Sequence, residues 1–460
     1  MSSAIASQIA GKFEAVVGTD HVHTDTVMAS LNQVDGLCPS FAVSPKDAQQ
    51  AAEIVRLSVA ANLSIIPFGA RSAISLGMPP SKFDVALDMT RLVGVAHYDP
   101  GDLTVSVNAG MPLAELAKTL ADQNQFLPLA VPFYSTATIG GAIASGLDSP
   151  LRHFYGTARD FLIGAEFVDG TGALTKSGGR VVKNVTGYDF HKLLHGSLGS
   201  LAVITRLNFR TFPIPRVRRG FLASFADNSR ARRFVDDLSA SSLTPTVVDE
   251  ISPEFAKLFL EGKSPVASLR LDTDAWTVCV GFEGSAAVCE RYSKDLAAIA
   301  RAASAQNAVT VHDTQWSALL EILREAPASL RKLAADAIVF RFATLPSQLH
   351  GLLHAVRSFA SSSWMPHVTL VRSGCFVYLA LLPRDGDDSN FKQVAYFWNS
   401  TGSLRGKLEF QAAILFCPAA WKRQLNIWAH ATTDLDLHRR VKNAFDPTAI
   451  FAPGRFVGGI

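Results

Sequence analysis

The chain has 460 residues, a net charge of +3, and 48% hydrophobic against 18% charged residues. That balance describes a folded protein with core enough for two or three domains of roughly 100–200 residues each. It excludes nucleic-acid binding through a basic patch, because no Lys/Arg run with interleaved aromatics occurs. The five cysteines, Cys38, Cys279, Cys289, Cys375 and Cys417, are scattered without C-x-x-C spacing. They argue for a reducing compartment and against an iron–sulfur cluster or structural zinc within the chain. The N-terminus lacks a basic stretch followed by an apolar block, and no apolar run approaches the ~20 residues of a membrane span. The expected location is cytoplasmic, with any membrane association arising through partners.

Residues 1 to about 35 read as a helical lead-in. Phe41-Ala42-Val43 is a short strand, and Ser44-Pro45-Lys46-Asp47 opens an amphipathic helix over 48–63 that turns Ala51, Ile54, Val55 and Val59 inward. Ile65-Ile66-Pro67 is a strand running into a small-residue loop, Phe68-Gly69-Ala70-Arg71-Ser72-Ala73. Strands follow at 85–88 and 102–108, then a helix over 113–120. This alternation is of the α/β type.

A second small-residue stretch runs from Pro132 through Thr136, Ala137, Thr138, Gly140, Gly141, Ala144 and Ser145 to Gly146. It suits either tight helix–sheet packing or a surface where backbone approaches a ligand. Gly140-Gly141 is not the G-x-G-x-x-G fingerprint that follows a strand, so a nicotinamide cofactor is poorly supported. The third stretch, 178–205, organises the rest. Gly178-Gly179 reads as a tight turn, with β-branched Val181, Val182 and Val185 after it. Asp189 is placed to cap a short helix whose Phe190, Leu193 and Leu194 share one face. A Gly196-Ser197-Leu198-Gly199 loop then leads to a buried-type strand at 201–204. So many turns in a short span are costly unless the loops touch something, and small residues with free N–H groups suit a flat, phosphate-bearing ligand.

Pro213 and Pro215, followed by Arg216, Arg218 and Arg219, mark a domain boundary. From 216 to 415 short strands (275–282, 337–342, 375–381) alternate with helices (285–303, 346–360). The texture is that of an α+β domain with an antiparallel sheet and helices on one side. Residues 418–440 read as helical, and a turn-rich tail closes the chain.

Several ordered motifs together resemble the FAD-binding PCMH-type, or vanillyl-alcohol oxidase, superfamily. They are Ala137-Thr-Ile-Gly-Gly141, Tyr155-Gly156-x-x-Arg159-Asp160, the run 178–189, Gly196-Ser-Leu-Gly199, and the tail Phe445-Asp-Pro…Phe451-Ala-Pro-Gly-Arg455. Within that superfamily the pattern is most similar to the FAD-binding subunits of glycolate oxidases. The resemblance implies an α+β fold: a PCMH-type FAD-binding domain of two α/β subdomains (36–215) after the lead-in (1–35). An α+β cap with an antiparallel sheet (216–415) and a C-terminal segment returning to the FAD domain (416–460) complete it.

The resemblance also implies the cofactor and its contacts. Pro67, Phe68, Gly69, Ala70, Arg71, Ser72 and Ala73 would face the FAD pyrophosphate. Pro132, Thr136, Ala137, Thr138, Gly140, Gly141, Ala144, Ser145 and Gly146 would wrap pyrophosphate and flavin. Val203 and Ile204 would line the ribityl or adenine region. Lys183 or Arg180 near the pyrimidine edge would stabilise the reduced, anionic flavin. The first loop has no His, so the FAD is expected to be noncovalent. Ala202 stands where relatives often carry glycine. The H-x-G-D-G metal segment of related 2-hydroxy-acid dehydrogenases is absent, and no metal is expected. His367, Arg372 and Arg341 are the candidates for catalysis or for pairing with a substrate carboxylate. The implied activity is oxidation of a small 2-hydroxy acid such as glycolate, with electrons passed to a second flavin subunit and an iron–sulfur subunit. Two alternatives stay open: a non-catalytic FAD-binding or assembly subunit, and a stand-alone flavin oxidase of an alcohol or sugar.

Overall fold

The computed structural model describes residues 3–181, 187–261, 266–269, 272–362, 365–383, 389–404, 407–429 and 434–460. Among them the N-terminal half carries two sheets. In the first, Val22–His23, Phe41–Val43, Val85–Asp88 and Ile65–Phe68 lie side by side in that order, parallel except for the first pair. Part of the expected lead-in therefore belongs to this sheet. Helix Ala48–Ala60 makes the crossover. Asp47, whose carboxylate accepts from the Gln50 amide at 2.8 Å, starts it, and Ala51, Ala52, Ile54, Val55 and Ser58 are its buried face.

The second sheet is antiparallel, ordered Val95–Asp99, Thr104–Asn108, Val203–Arg210, Leu162–Val168, Leu174–Gly178. Helices Leu113–Ala121 and Ile139–Ser145 cover one face of it through Leu116, Leu120, Ile139 and Ile143, packed with Val107, Phe167 and Leu207. The expected strand at 201–204 proves to begin at Val203 and to run on to Arg210. The expected helix after Asp189 is a single 3₁₀ turn, Phe190–Leu193. Asp189 makes no cap there; it pairs instead with Lys192 at 2.6 Å. At Gly178 φ is +69° and a Cβ would stand 2.3 Å from the Ile163 carbonyl oxygen, so this turn admits only glycine.

The second half is built on an eight-stranded antiparallel sheet. Its strands are ordered Asn307–His312, Val217–Phe225, Trp276–Gly284, Val247–Ile251, His367–Arg372, Phe376–Leu381, Ile338–Thr344, Phe410–Phe416. Helices cover both faces, not one. Asn228–Ser239 and Ala286–Ala302 pack on the outer face of the first four strands. Asp313–Leu330 and Pro253–Phe259 pack on the inner face, and that core runs on into Leu76 and Leu147 of the first half. The tail returns across the molecule: the Ile65 amide donates to the Ile450 carbonyl (2.7 Å) and the Ala452 amide to the Ile65 carbonyl (2.8 Å). Buried Lys442, at the end of helix Leu435–Phe445, fixes this return by donating to Asp446 (2.7 Å), Ser200 O (2.7 Å) and Phe451 O (2.9 Å).

Candidate functional site

Three backbone segments meet along a narrow trough. One is the loop after strand Ile65–Phe68; the second is Thr138 with helix Ile139–Ser145; the third is the Gly196–Gly199 loop. The third docks on the second through hydrogen bonds from Gly196 N to Ile143 O (2.9 Å) and from Leu198 N to Ala144 O (2.8 Å). Contact between segments is so close that side chains are excluded. A Cβ on Gly69 would lie 1.9 Å from Thr138 Oγ1, and one on Gly140 would lie 2.8 Å from Ala109 Cβ. One stretch of the trough, about 70 Å³, is lined by 67–74 with Thr138, Gly141, Ala144, Ser145, Leu198, Gly199 and Arg455. A second, about 50 Å³, continues it past Pro67, Gly69, Thr138, Gly140 and Gly199 to Met89, Ala202 and Ile204. The amides of residues 70–73 donate to no acceptor among the described residues.

At its other end the trough shares Ser145 and Leu198 with a larger cavity of about 350 Å³. The walls come from the first half (Gly77, Leu129, Gly146, Asp148, Arg152, His195), from the inner face of the large sheet (Arg341, Phe376, Ile414, Leu415), and from the tail (Trp428, Phe456). Asp148 accepts from Arg152 Nη1 (2.8 Å) and from the Tyr378 hydroxyl (3.2 Å). Behind it Arg372 is fully buried, donating to Asp249 Oδ2 (3.1 Å) and Leu323 O (2.6 Å). Burial pushes Asp249 up to about 6 despite Arg372, which opposes the shift. Burial also pushes the Tyr378 phenol up, so that it donates to Asp148 as a neutral group. His195 is held below the usual histidine range by burial and then by Arg159, so its imidazole is neutral at pH 7. The Arg341 guanidinium lies 6.0 Å from the Phe376 ring centroid and meets no carboxylate among the described residues.

Most of the residues expected at a cofactor site come together. Pro67 to Ala73, Thr138, Gly140, Gly141, Ala144, Ser145 and Ile204 line the trough, and Gly146 lines the cavity. Others do not. Val203 packs in the core behind the strand, since neighbouring strand residues face opposite ways and Ile204 takes the trough side. Ala137 is buried among the helices of the antiparallel sheet. Pro132 is buried and Thr136 exposed, the latter's hydroxyl bonding the Phe133 carbonyl (3.3 Å), and neither lines the trough. Arg71 reaches the trough but is committed elsewhere: it pairs with Asp88 (3.6 Å) and stacks on Phe68 (4.7 Å). Arg180 is exposed, and Lys183 lies outside the described residues.

The three catalytic candidates separate. Five residues apart on one strand, His367 and Arg372 face opposite sides of the sheet. His367 is on the outer side; its Nδ1 is 3.4 Å from Met365 O, and Arg357 and Glu254 act on its charge. Arg372 is inside but consumed by Asp249. Arg341 alone of the three lines the cavity. Sequence reasoning missed Asp148, Arg152, His195 and Arg455. His195 and Arg455 each abut a glycine motif, which was an available signal; Asp148 and Arg152 had none.

A model described as "FAD binding domain" matches residues 39–178, and one described as "FAD linked oxidases, C-terminal domain" matches 214–380 and 422–456. The chain joins these two domains and belongs to the FAD-linked oxidases. Glycolate oxidase subunit GlcE of Escherichia coli (strain K12) is 35% identical over 169 residues, covering 36% of this chain and 48% of that protein. Glycolate oxidase subunit GlcD of Bacillus subtilis (strain 168) is 25% identical over 326 residues, 70% of this chain and 68% of the other. The match thus spans about half of the first relative and two thirds of the second. A structure of p-cresol methylhydroxylase with substrate bound superposes with a TM-score of 0.78 at 17% identity, covering 99% of this chain and 97% of that one; it carries the fold alone.

The cofactor of an FAD-linked oxidase is FAD, and the trough fits it. Four consecutive N–H groups without acceptors among the described residues suit a pyrophosphate. Walls of Gly, Ala and Ser let the main chain approach an elongated dinucleotide, and the larger cavity adjoins the trough at Ser145 and Leu198. The side chains here supply no imidazole or thiol on the 67–74 loop.

Proposed function

We propose that this chain oxidises the CH–OH carbon of a small 2-hydroxy acid, of the glycolate or D-lactate kind, with noncovalently held FAD. The observation carrying this reading is Arg341, a half-buried guanidinium in the wall of the larger cavity with no carboxylate partner among the described residues. A substrate carboxylate meets that need by paired, charge-assisted hydrogen bonds. Size points the same way. About 350 Å³ is near the low end of the ~300–1,000 Å³ usual for small-molecule sites, which favours a small substrate.

Bound FAD would supply the chemistry by taking the hydride equivalent from the hydroxyl-bearing carbon. The chain's part is positioning and proton handling. Arg341 orients the acid. His195, neutral at pH 7, takes the hydroxyl proton on a ring nitrogen. Arg152, tied to Asp148 and stacked 4.0 Å from the Phe376 ring centroid, keeps that wall rigid. Leu129, Ile414, Leu415 and Trp428 exclude water. We read the chain further as one subunit of a glycolate oxidase-type complex in the cytoplasm, passing electrons to a second flavin subunit and an iron–sulfur subunit. Similarity to proteins named as glycolate oxidase subunits supports this, as does the absence of cysteines in C-x-x-C spacing.

The test is anaerobic mixing of the flavin-loaded protein with glycolate, D-lactate and the neutral analogue ethylene glycol. Bleaching of the flavin band by the acids, and not by the diol, is the expected result. A flavin that no acid reduces, in the chain alone or together with its co-purifying subunits, would remove the reading.

A further inference from the structure

Buried charge near the pyrophosphate stretch of the trough does not balance. Arg455, in the returning tail, is 2% exposed. Its Nη2 donates to Ile74 O (2.6 Å) and Leu76 O (2.5 Å), holding the far end of the first loop. Its Nε and Nη1 are buried and meet no acceptor among the described residues. Lys422 is buried beside it, donating to both Asp35 carboxylate oxygens (3.0 and 2.9 Å) and to Ser75 O (2.5 Å). Two cations thus share one carboxylate, and Lys422 engages both of its oxygens. The other cation on this stretch, Arg71, has its own carboxylate in Asp88 at 3.6 Å, although its Nε too meets no acceptor among the described residues. Burial lowers Arg455 to about 10, with Asp35 opposing, so it stays charged at neutral pH. A guanidinium so far from water, with two N–H edges idle, is costly unless an anion meets it.

We infer that Arg455 is the buried counter-charge for the dinucleotide pyrophosphate, carried to the trough by the C-terminal tail. Arg455 lines the same stretch as the free amides of residues 70–73. Those amides supply hydrogen bonds without charge; Arg455 supplies the charge, and the Lys422–Asp35 pair fixes Ser75 next to the loop that Arg455 holds. The tail is thereby part of the cofactor site: a diphosphate adds an anchor to a segment already held by the Ala452–Ile65 (2.8 Å) and Ser81–Pro453 (2.9 Å) backbone hydrogen bonds. This inference rests on the reading of the trough as a dinucleotide site, and the ligands below separate the two.

The experiment measures binding of FAD, ADP and adenosine to apoprotein by calorimetry at fixed ionic strength, for wild type, Arg455→Gln and Arg455→Lys. Loss of a charge-assisted contact should weaken FAD and ADP roughly 10- to 100-fold in Arg455→Gln. Adenosine should bind as before, and Arg455→Lys should fall between. Unchanged FAD and ADP affinity would overturn the inference. So would a parallel loss for adenosine, which would mean Arg455 only shapes the loop. Wild type that binds none of the three would remove the dinucleotide reading itself. Should Arg455→Gln fail to fold, hydrogen exchange in wild type decides: ADP should slow the amides of Ala452, Gly454, Arg455 and Phe456 and adenosine should not. Equal protection by both would overturn the inference.

Discussion

Substituting Gly69 with alanine probes the wall of the trough most directly. The added Cβ would stand 1.9 Å from Thr138 Oγ1 and 2.9 Å from Thr138 Cβ. Restoring ordinary contact near 3.4 Å requires the loop and the helix start to part by about 1.5 Å. Thr138 cannot yield freely, because its Oγ1 accepts from the Gly141 amide (3.3 Å) at the N-terminus of helix Ile139–Ser145. Overpacking of this kind costs about 1–3 kcal/mol, within the ~5–15 kcal/mol that holds a domain together. Gly69→Ala should therefore fold and bind FAD poorly. Displacing even one phosphate-facing amide forfeits about 1.5–3 kcal/mol, or roughly 10- to 100-fold in Kd. Adding Thr138→Ala removes the 1.9 Å clash, loses a helix cap worth about 1 kcal/mol, and should recover part of the affinity. Fluorescence titration with FAD, alongside circular dichroism, reads both. Folded Gly69→Ala with wild-type affinity would refute the reasoning.

Further consequences follow for the cavity and the core. Arg341→Met should raise KM for a 2-hydroxy acid by roughly tenfold or more through loss of a charge-assisted pair, with a smaller change in kcat; stopped-flow flavin reduction checks the split. His195 has its folded pKa below 6.5, so flavin reduction should decline as pH falls through that lower value, and the acid limb should be absent in His195→Gln. The same shift makes its contribution to stability complete above 6.5 and lost on acidification. Arg372→Met strands the Asp249 carboxylate in the core and should cost about 3–5 kcal/mol. Since Asp249 already has a raised folded pKa, that variant should be least unstable below about pH 4 and lose stability as pH rises through 6 and beyond; urea melts at several pH values test this.

Much of the first half was legible because local rules and tertiary packing agree there. Asp47 before an Ala/Ile/Val periodicity marks a helix, and strands Ile65–Phe68 and Val85–Asp88 are short apolar runs bounded by turns. The glycine motifs announced the trough because only glycine fits where loops touch through backbone, as at Gly69 and Gly140. What failed to show was the direction of individual side chains. Val203 and Ile204 are equally apolar, and pairing with Val168 and Phe167, not composition, decides which faces the trough. His367 and Arg372 looked like one constellation in sequence, yet the two-residue period of the strand parts them. Asp148 gains its role only from Arg152 and Tyr378, the latter 230 residues away, and Arg455 only from a tail that crosses the molecule. Contacts of that separation leave no local signature.

On the proposed reading, the chain grips FAD through loop amides, small residues and one buried cation. Titrating FAD into the purified apoprotein while recording the flavin absorption bands tests it most directly. One FAD per chain, with shifted and better-resolved bands, is the predicted result. A folded chain whose added FAD keeps the spectrum of free flavin up to saturating concentrations would contradict it.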